Sequence, residues 1–181
     1  QAIRSTMAYL NRQPYGWELL VVDDGSRDDT LAQVEALEKK HPKLRGIRHH
    51  TNQGKGAAVR TGLKHAQGEA VLFCDADGAT PIQLLDECLP HLNGGSVLIT
   101  ASRRVPGAHI KTRQDLLRRS LSTGYRMLCR ALVTPGIADV TCGFKLLSGP
   151  AARFAAERMR ITGWSFDAEL FTLARINPWK V

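Results

Sequence analysis

An α/β fold with a doubly wound, mostly parallel sheet and helices on both faces is predicted by three observations. Short apolar runs alternate with helical patterns in the order α-β-α-β-α-β-α-β up to Ala101. Two of those runs end directly in carboxylates, at Asp23-Asp24 and at Asp75-Ala76-Asp77. A glycine-rich loop, Asn52-Gln53-Gly54-Lys55-Gly56, opens one of the helices. Regular alternation at this spacing favours parallel strands joined by crossover helices. Sheets of that kind bind ligands outside the carboxyl ends of their strands.

Each element has its own local reason. Ile3, Met7 and Leu10 recur at helical spacing over residues 2–12, and Gln13-Pro14-Tyr15-Gly16 breaks the pattern. Trp17 to Val22 reads as a strand, with Leu19-Leu20-Val21-Val22 its buried part. Asp28 or Asp29 caps a helix running to about Lys40, with Leu31, Val34 and Leu37 on one face, and His41-Pro42 stops it. Leu44 to His49 is a weaker strand. The helix opened by Asn52–Gly56 ends at Gln67-Gly68-Glu69, and the Val71–Cys74 run is a short, buried, β-prone strand. Thr80-Pro81 starts a helix that runs to about Leu92, with proline in its first turn. Val97 to Ala101 is the next strand. The rhythm then changes: residues 102–112 read as a polar, basic loop and 113–133 as a long amphipathic helix with a basic side. Asp139 to Leu147 is turn plus strand, followed by helices near 149–158 and 166–175.

The composition fits one domain. The 181 residues suffice for a full core, and 43% apolar with 23% charged residues is ordinary for a globular protein. No apolar run approaches the roughly 20 residues that span a bilayer, and Gln1-Ala2-Ile3-Arg4 opens no signal-peptide pattern. The net charge of +8 favours an acidic partner, be it nucleic acid, anionic lipid or a phosphorylated substrate. Aromatic residues are only 6% and no arginine-rich arm is present, which argues against nucleic acid. Cys74, Cys88, Cys129 and Cys142 show no C-x-x-C spacing and read as reduced, mostly buried small hydrophobes.

The chemistry concentrates at the strand ends. Asp75 and Asp77 are hard oxygen ligands one residue apart, suited to Mg²⁺ or Mn²⁺ with phosphate oxygens and water completing the shell. The plain alternative is a turn with helix-capping carboxylates. Acidic groups such as Asp23 and Asp24 do not bind phosphate, but they accept hydrogen bonds from a base or ribose. The Asn52–Gly56 loop offers backbone N–H groups and Lys55 at a helix N-terminus, a set suited to phosphate. It is neither a P-loop nor G-x-G-x-x-G. Together these pieces describe a metal-dependent nucleotide site, with both acidic strand ends expected on one crevice.

These residues also carry a family resemblance. Asp23-Asp24-Gly25-Ser26-Arg27-Asp28-Asp29-Thr30, Asn52–Gly56 and Asp75-Ala76-Asp77-Gly78-Ala79-Thr80 resemble family 2 glycosyltransferases of the GT-A (Rossmann-like) fold. Asp139-Val140-Thr141-Cys142-Gly143-Phe144-Lys145 and Trp164-Ser165-Phe166-Asp167-Ala168-Glu169 are similar to the polyprenyl-phosphate sugar transferases, above all the dolichyl-phosphate β-glucosyltransferase branch. The resemblance implies that Asp23 and Asp24, chiefly Asp24, contact the nucleotide base. It implies that Asp75 and Asp77 carry the metal and the sugar nucleotide, with Lys55 adding positive charge. Arg103, Arg118 and Ser122 match positions that contact the acceptor phosphate, although Arg104, Arg113 and Arg119 lie close by and a solvated basic face is the plain alternative. Asp139, Asp167 and Glu169 either line the acceptor side or serve as caps and ion pairs.

Relatives begin with a strand ending in a Pro-Ala-Tyr-Asn-Glu-like segment, which this sequence lacks. The 181 residues are therefore expected to be one catalytic domain truncated at both ends. The implied reaction is metal-dependent, inverting transfer of glucose from UDP-glucose to a polyprenyl phosphate. Its implied partners are a nucleotide-sugar donor, the lipid phosphate and a membrane surface, without nucleic acid. The implied place is the cytoplasmic face of the endoplasmic reticulum in a eukaryote, or of the plasma membrane in a prokaryote. Alternatives are a polyprenyl-phosphate mannosyltransferase using GDP-mannose or another family 2 sugar transferase, a nucleotidyltransferase, or a non-catalytic module that binds a sugar nucleotide or an acidic lipid.

Overall fold

The computed structural model describes residues 2–102, 137 and 139–176. The chain divides into two compact units, Gln1–Val71 with Ser148–Phe166 and Leu72–Leu147 with Asp167–Val181. The class is α/β, as the alternation predicts.

In the first unit, α1 (Ala2–Leu10) buries Met7, Tyr9 and Leu10. Strand β1 (Leu19–Asp23) lies parallel to β2 (Leu44–Arg48), in register from Leu19 opposite Leu44 to Asp23 opposite Arg48. Between them runs α2 (Thr30–Glu38). Met7, Val34 and Leu44 form a core, against which Ile3, Trp17, Leu19, Val21 and Leu37 pack. These are the apolar positions whose spacing marks the elements. The expected acidic cap of α2 is present one residue early: Asp28 Oδ1 accepts the Thr30 N–H at 3.0 Å, while Asp29 at the cap position makes no side-chain bond. Helix α3 (Lys55–His65) follows the glycine-rich loop and packs on α5 (Gly149–Arg158), where Arg60 Nε donates to the Ala156 carbonyl at 3.0 Å. Ser148 caps α5, its Oγ accepting from the Ala151 N–H at 3.4 Å.

The sheet of the second unit has the order β3-β5-β4, from β3 (Ala70–Cys74), β4 (Leu98–Thr100) and β5 (Phe144–Ser148). Strand β5 runs antiparallel to β4, with Leu98 opposite Leu147 and Thr100 opposite Lys145. Its residues Phe144 to Leu147 are fully buried, as befits the central strand of three. The expected burial of β3 is not met: Val71, Leu72 and Phe73 are half-buried, and Cys74 is exposed. Cys88 and Cys142 are buried and free, while Cys129 lies outside the described residues. The Thr80-Pro81 start opens as one 3₁₀ turn, Ile82–Leu84, before α4 (Leu85–Asn93). Helix α6 (Phe166–Ile176) closes the described part of the chain. The loop expected over 102–112, past Ser102, and the helix expected over 113–133 lie outside the described residues.

Two glycines of α3 test which effect governs its packing. An Ala side chain in place of either would favour the isolated helix by about 1 kcal/mol. At Gly62 an added Cβ would meet only Val22 Cγ2, at 3.5 Å. At Gly56 it would run into the Ile161 carbonyl and lie 2.8 Å from Phe166 Cβ. Gly62→Ala should therefore raise Tm by about 2–4 °C. Gly56→Ala should lower Tm despite the better propensity, because overpacking against backbone costs about 1–3 kcal/mol. Thermal melts of the two variants check this pair of opposite signs.

Candidate functional site

In the first unit, β1 delivers two carboxylates to different surroundings. Asp23 is 5% exposed; its Oδ1 accepts the Ser26 N–H at 3.0 Å. Its Oδ2 is buried without a hydrogen bond, and Arg48 Nε from the facing end of β2 stands 3.9 Å away. Asp24 is the hub. Its Oδ1 accepts the Gln53 N–H at 2.9 Å and faces His49 Nδ1 at 2.7 Å, and its Oδ2 accepts the Gly54 N–H at 2.8 Å. Its carbonyl takes Asn52 Nδ2 at 3.2 Å. An ionised carboxylate only accepts, so His49 Nδ1 is the donor. His49 Nε2 then pairs with Thr61 Oγ1 of α3 at 2.9 Å. Burial alone would raise the Asp24 carboxyl. The Gln53 N–H, His49 and the Gly54 N–H outweigh that and hold it below the ordinary aspartate value.

The glycine-rich loop is thus tied to the end of β1. Gly54 takes φ +99° as the residue capping α3, and a Cβ there would strike the Thr162 carbonyl. Lys55, the first residue of α3, carries its ammonium 5.2 Å from the Trp164 ring centre and 5.8 Å from that of Phe166, within cation–π range. Trp164 itself is 76% exposed. An open cleft of about 510 Å³ lies between the loops after β1 and β2, lined by Gly25, Ser26, Arg27, Asp28, Arg48, His50, Thr51 and Asn52.

In the second unit, Asp75 and Asp77 follow β3 as expected. The Asp75 N–H donates to the Gly143 carbonyl at 2.9 Å. The Asp75 carboxylate lies so close to Gly143 that a Cβ at 143 would overlap it. Asp77 is exposed; its Oδ1 accepts the Ala79 N–H at 2.9 Å in a turn that passes through Gly78 at φ +66°. Asp139 is buried, with Oδ1 accepting from Thr141 Oγ1 at 3.2 Å. Lys145 has no exposed surface; its Nζ donates to the Cys142 carbonyl at 2.7 Å and to Asp167 Oδ1 at 2.5 Å. Glu169 shares the first turn of α6 with Asp167.

No cluster of three or more His, Cys, Asp or Glu side chains stands in metal-binding geometry among the described residues. The donor set still fits Mg²⁺ or Mn²⁺. Such ions are commonly held by one or two carboxylates, with substrate phosphates and water completing the shell. Asp75, seated against Gly143, and exposed Asp77 supply that number.

Of the residues expected from the sequence, Asp23, Asp24 and Lys55 belong to the first unit, and Asp75, Asp77, Asp139, Asp167 and Glu169 to the second. Arg103, Arg118 and Ser122 lie outside the described residues. Sequence reasoning missed His49 and Thr61 as partners of Asp24, and Lys145 as a buried cation. For His49 a signal existed: it sits one residue past β2, level with the Asp23-Asp24 end of β1.

Residues 1–153 match the family described as Glycosyl transferase family 2. A dolichyl-phosphate beta-glucosyltransferase of Trichomonas vaginalis is 36% identical over 97% of this chain and 55% of its own length. The human protein of the same name is 33% identical over 89% of this chain and 52% of its own. The chain thus spans about half the length of these curated relatives. Among solved structures, glucosyl-3-phosphoglycerate synthase from Mycobacterium tuberculosis, in complex with Mn²⁺, UDP-glucose and phosphoglyceric acid, superposes with a TM-score of 0.66 at 21% identity. That match covers 95% of this chain and 61% of the other. A mannosyltransferase from Pyrobaculum calidifontis, in complex with GDP-mannose and Mn²⁺, gives 0.61 at 18% identity, over 99% of this chain and 50% of the other. The GT-A fold is common to them. With its acidic strand ends, its Asp24-held glycine loop and a family match covering most of its length, the chain belongs to glycosyl transferase family 2.

Proposed function

We propose that the chain transfers glucose, with inversion, from UDP-glucose to a polyprenyl phosphate of the dolichyl type, assisted by Mg²⁺ or Mn²⁺. The observation that carries this reading is the likeness over 97% of this chain, at 36% identity, to a dolichyl-phosphate beta-glucosyltransferase, with both acidic strand ends and the glycine loop present. An oxygen of the lipid phosphate attacks the anomeric carbon while the bond from that carbon to the UDP oxygen breaks. UDP leaves with the bonding electrons. The nucleophile is already an anion at neutral pH, so no strong general base is required.

The task for the protein is to position two anions and neutralise the charge that develops on the leaving diphosphate. A divalent ion, when bound, supplies Lewis-acid neutralisation. Asp77 and Asp75 are the residues that hold it. Asp24 presents a fixed acceptor to the nucleotide: 18% of its side chain is exposed, against 3% for Asp23, and Oδ2 keeps a lone pair beyond the one used by Gly54. Lys55, at the N-terminus of α3, adds positive charge near the phosphates. Arg103, Arg118 and Ser122 hold the acceptor phosphate, a role that rests on resemblance alone. Asp139, Asp167 and Glu169 belong to the acceptor side on the same ground.

The net charge of +8 suits an anionic lipid surface. Among the described residues no helix is long and apolar enough to cross a membrane. The matching place of action is the cytoplasmic face of the endoplasmic reticulum, or of the plasma membrane in a prokaryote.

Calorimetric titration tests the donor and the metal together. UDP-glucose should bind with Mn²⁺ present, not with EDTA, and Asp77→Asn should abolish the metal-dependent part. A preference for GDP-mannose would move the chain to mannosyl transfer, and no binding of either would sink the reading.

A second prediction concerns Asp24. Asp24→Asn turns one carboxyl oxygen into a donor, which would face the Gly54 or the Gln53 and His49 donors. UDP-glucose affinity should fall at least about tenfold, or 1.4 kcal/mol. The folded-state carboxyl lies below its ordinary value of 3.8, so its contribution to stability is full above that pH. The stability lead of the wild type over Asp24→Asn should shrink as the pH falls through 3.8 and below, measured by denaturant melts across that range.

A further inference from the structure

We propose that Lys145 and Asp167 are positioning residues for the Asp75 carboxylate, a role that rests on the reading of Asp75 and Asp77 as metal ligands. The path is short and lies wholly within the second unit. Asp167 Oδ1 holds Lys145 Nζ at 2.5 Å. The same Nζ donates to the Cys142 carbonyl at 2.7 Å. That bond fixes the peptide leading into Gly143. Gly143 in turn accepts the Asp75 N–H at 2.9 Å and provides the bare Cα surface on which the Asp75 carboxylate rests. Phe73, two residues before Asp75 on β3, faces the Lys145 ammonium at 5.3 Å, and Phe171 of α6 faces it at 5.6 Å.

Stability alone is a weak reason for such a pair. Lys145 is fully buried and Asp167 is 6% exposed. Desolvating two charges roughly cancels their attraction, and well-packed apolar residues of similar volume often do as well or better. A chemical reason is needed for an ammonium at this position, and it lies in direction. An apolar side chain cannot bind the Cys142 carbonyl, so it cannot hold the turn that seats Asp75. A metal-binding carboxylate needs that kind of support, because outer partners set the geometry of the ligands they touch.

The test reads metal uptake directly. Binding of Mn²⁺ in the presence of UDP is followed by loss of the free-ion electron paramagnetic resonance signal. The wild type, Asp77→Asn and the double variant Lys145→Met/Asp167→Leu are compared, with far-UV circular dichroism and thermal melts as the check on folding. The double variant should stay folded and bind Mn²⁺ about 10- to 100-fold more weakly, the usual effect of losing an outer partner. Wild-type affinity in the folded double variant would overturn the positioning role while leaving the metal reading intact. Absence of Asp77-dependent uptake by the wild type would overturn the metal reading, and this proposal with it. Should the double variant fail to fold, Lys145→Met/Asp167→Asn is read in the same titration. It leaves no buried charge at either position and no ammonium donor for the Cys142 carbonyl, and unchanged affinity there would equally overturn the proposal.

Discussion

The Asp24 carboxylate is the interaction on which the first unit depends. A helix begins with backbone N–H groups that have no partner within the helix. Helix α3 begins after Gly54, a residue with no side chain to serve as a cap. In the first turn the Ala57 N–H goes to the Thr162 carbonyl, while Asp24, from 30 residues away, takes the N–H of the cap residue Gly54 and that of Gln53 before it. A negative charge at a helix N-terminus is also favourable to the helix dipole. The same carboxylate fixes His49, which reaches Thr61 on the second turn of α3. One group thereby fastens the ends of β1 and β2 and the start of α3. The parallel register that sets Asp23 opposite Arg48 brings the end of β2 level with it.

The second unit solves a similar problem with a cation. Lys145 on the buried central strand β5 is neutralised by Asp167 and uses its remaining donor capacity on a backbone carbonyl. In both units a charged group removed from much of its water is held by several hydrogen-bond partners at once. In both, backbone groups of a loop are among those partners. The loops are therefore held by charge-assisted bonds, which are shorter and stronger than neutral ones.

Much of the fold was legible in the sequence because its signals are local. Met7, Val34, Leu44 and Leu63 are all buried at the periodic positions that mark their elements. The breaks at Pro14-Tyr15-Gly16 and Gly94-Gly95 fall where α1 and α4 have ended. The place of β5 was not legible. Alternation of strand and helix fixes neighbours only while the crossovers are short, and β5 returns after an excursion of more than forty residues to pair antiparallel with β4. Nor does periodicity reveal burial on the far face of a strand, so the half-exposed Val71–Phe73 run looked like a core strand. The carboxylates of the site could be read from their positions at strand ends. Their partners could not: Asp24 with Gln53 and Gly54, and Lys145 with Asp167, meet across 22 to 30 residues of sequence.

The Asp23-Asp24 pair shows why a motif of identical residues need not have identical parts. Successive side chains of a strand point to opposite faces. Asp23, still within β1, turns inward, where one of its oxygens meets no donor closer than Arg48 at 3.9 Å. Asp24, one step on, leaves the strand and meets the glycine loop. The two carboxylates therefore have different parts: Asp23 serves the Ser26 N–H, and without Asp24 the Gln53 and Gly54 N–H groups would lose their carboxylate acceptor. A pair that reads as a doubled binding signal is, in physical terms, one inward anchor for the turn at Ser26 and one outward hub for the loop. Of the two, Asp24 is the more exposed, at 18% of its side chain against 3% for Asp23. In the function proposed above, loop anchoring and nucleotide contact fall on one carboxylate, so a substitution at 24 is expected to disturb both.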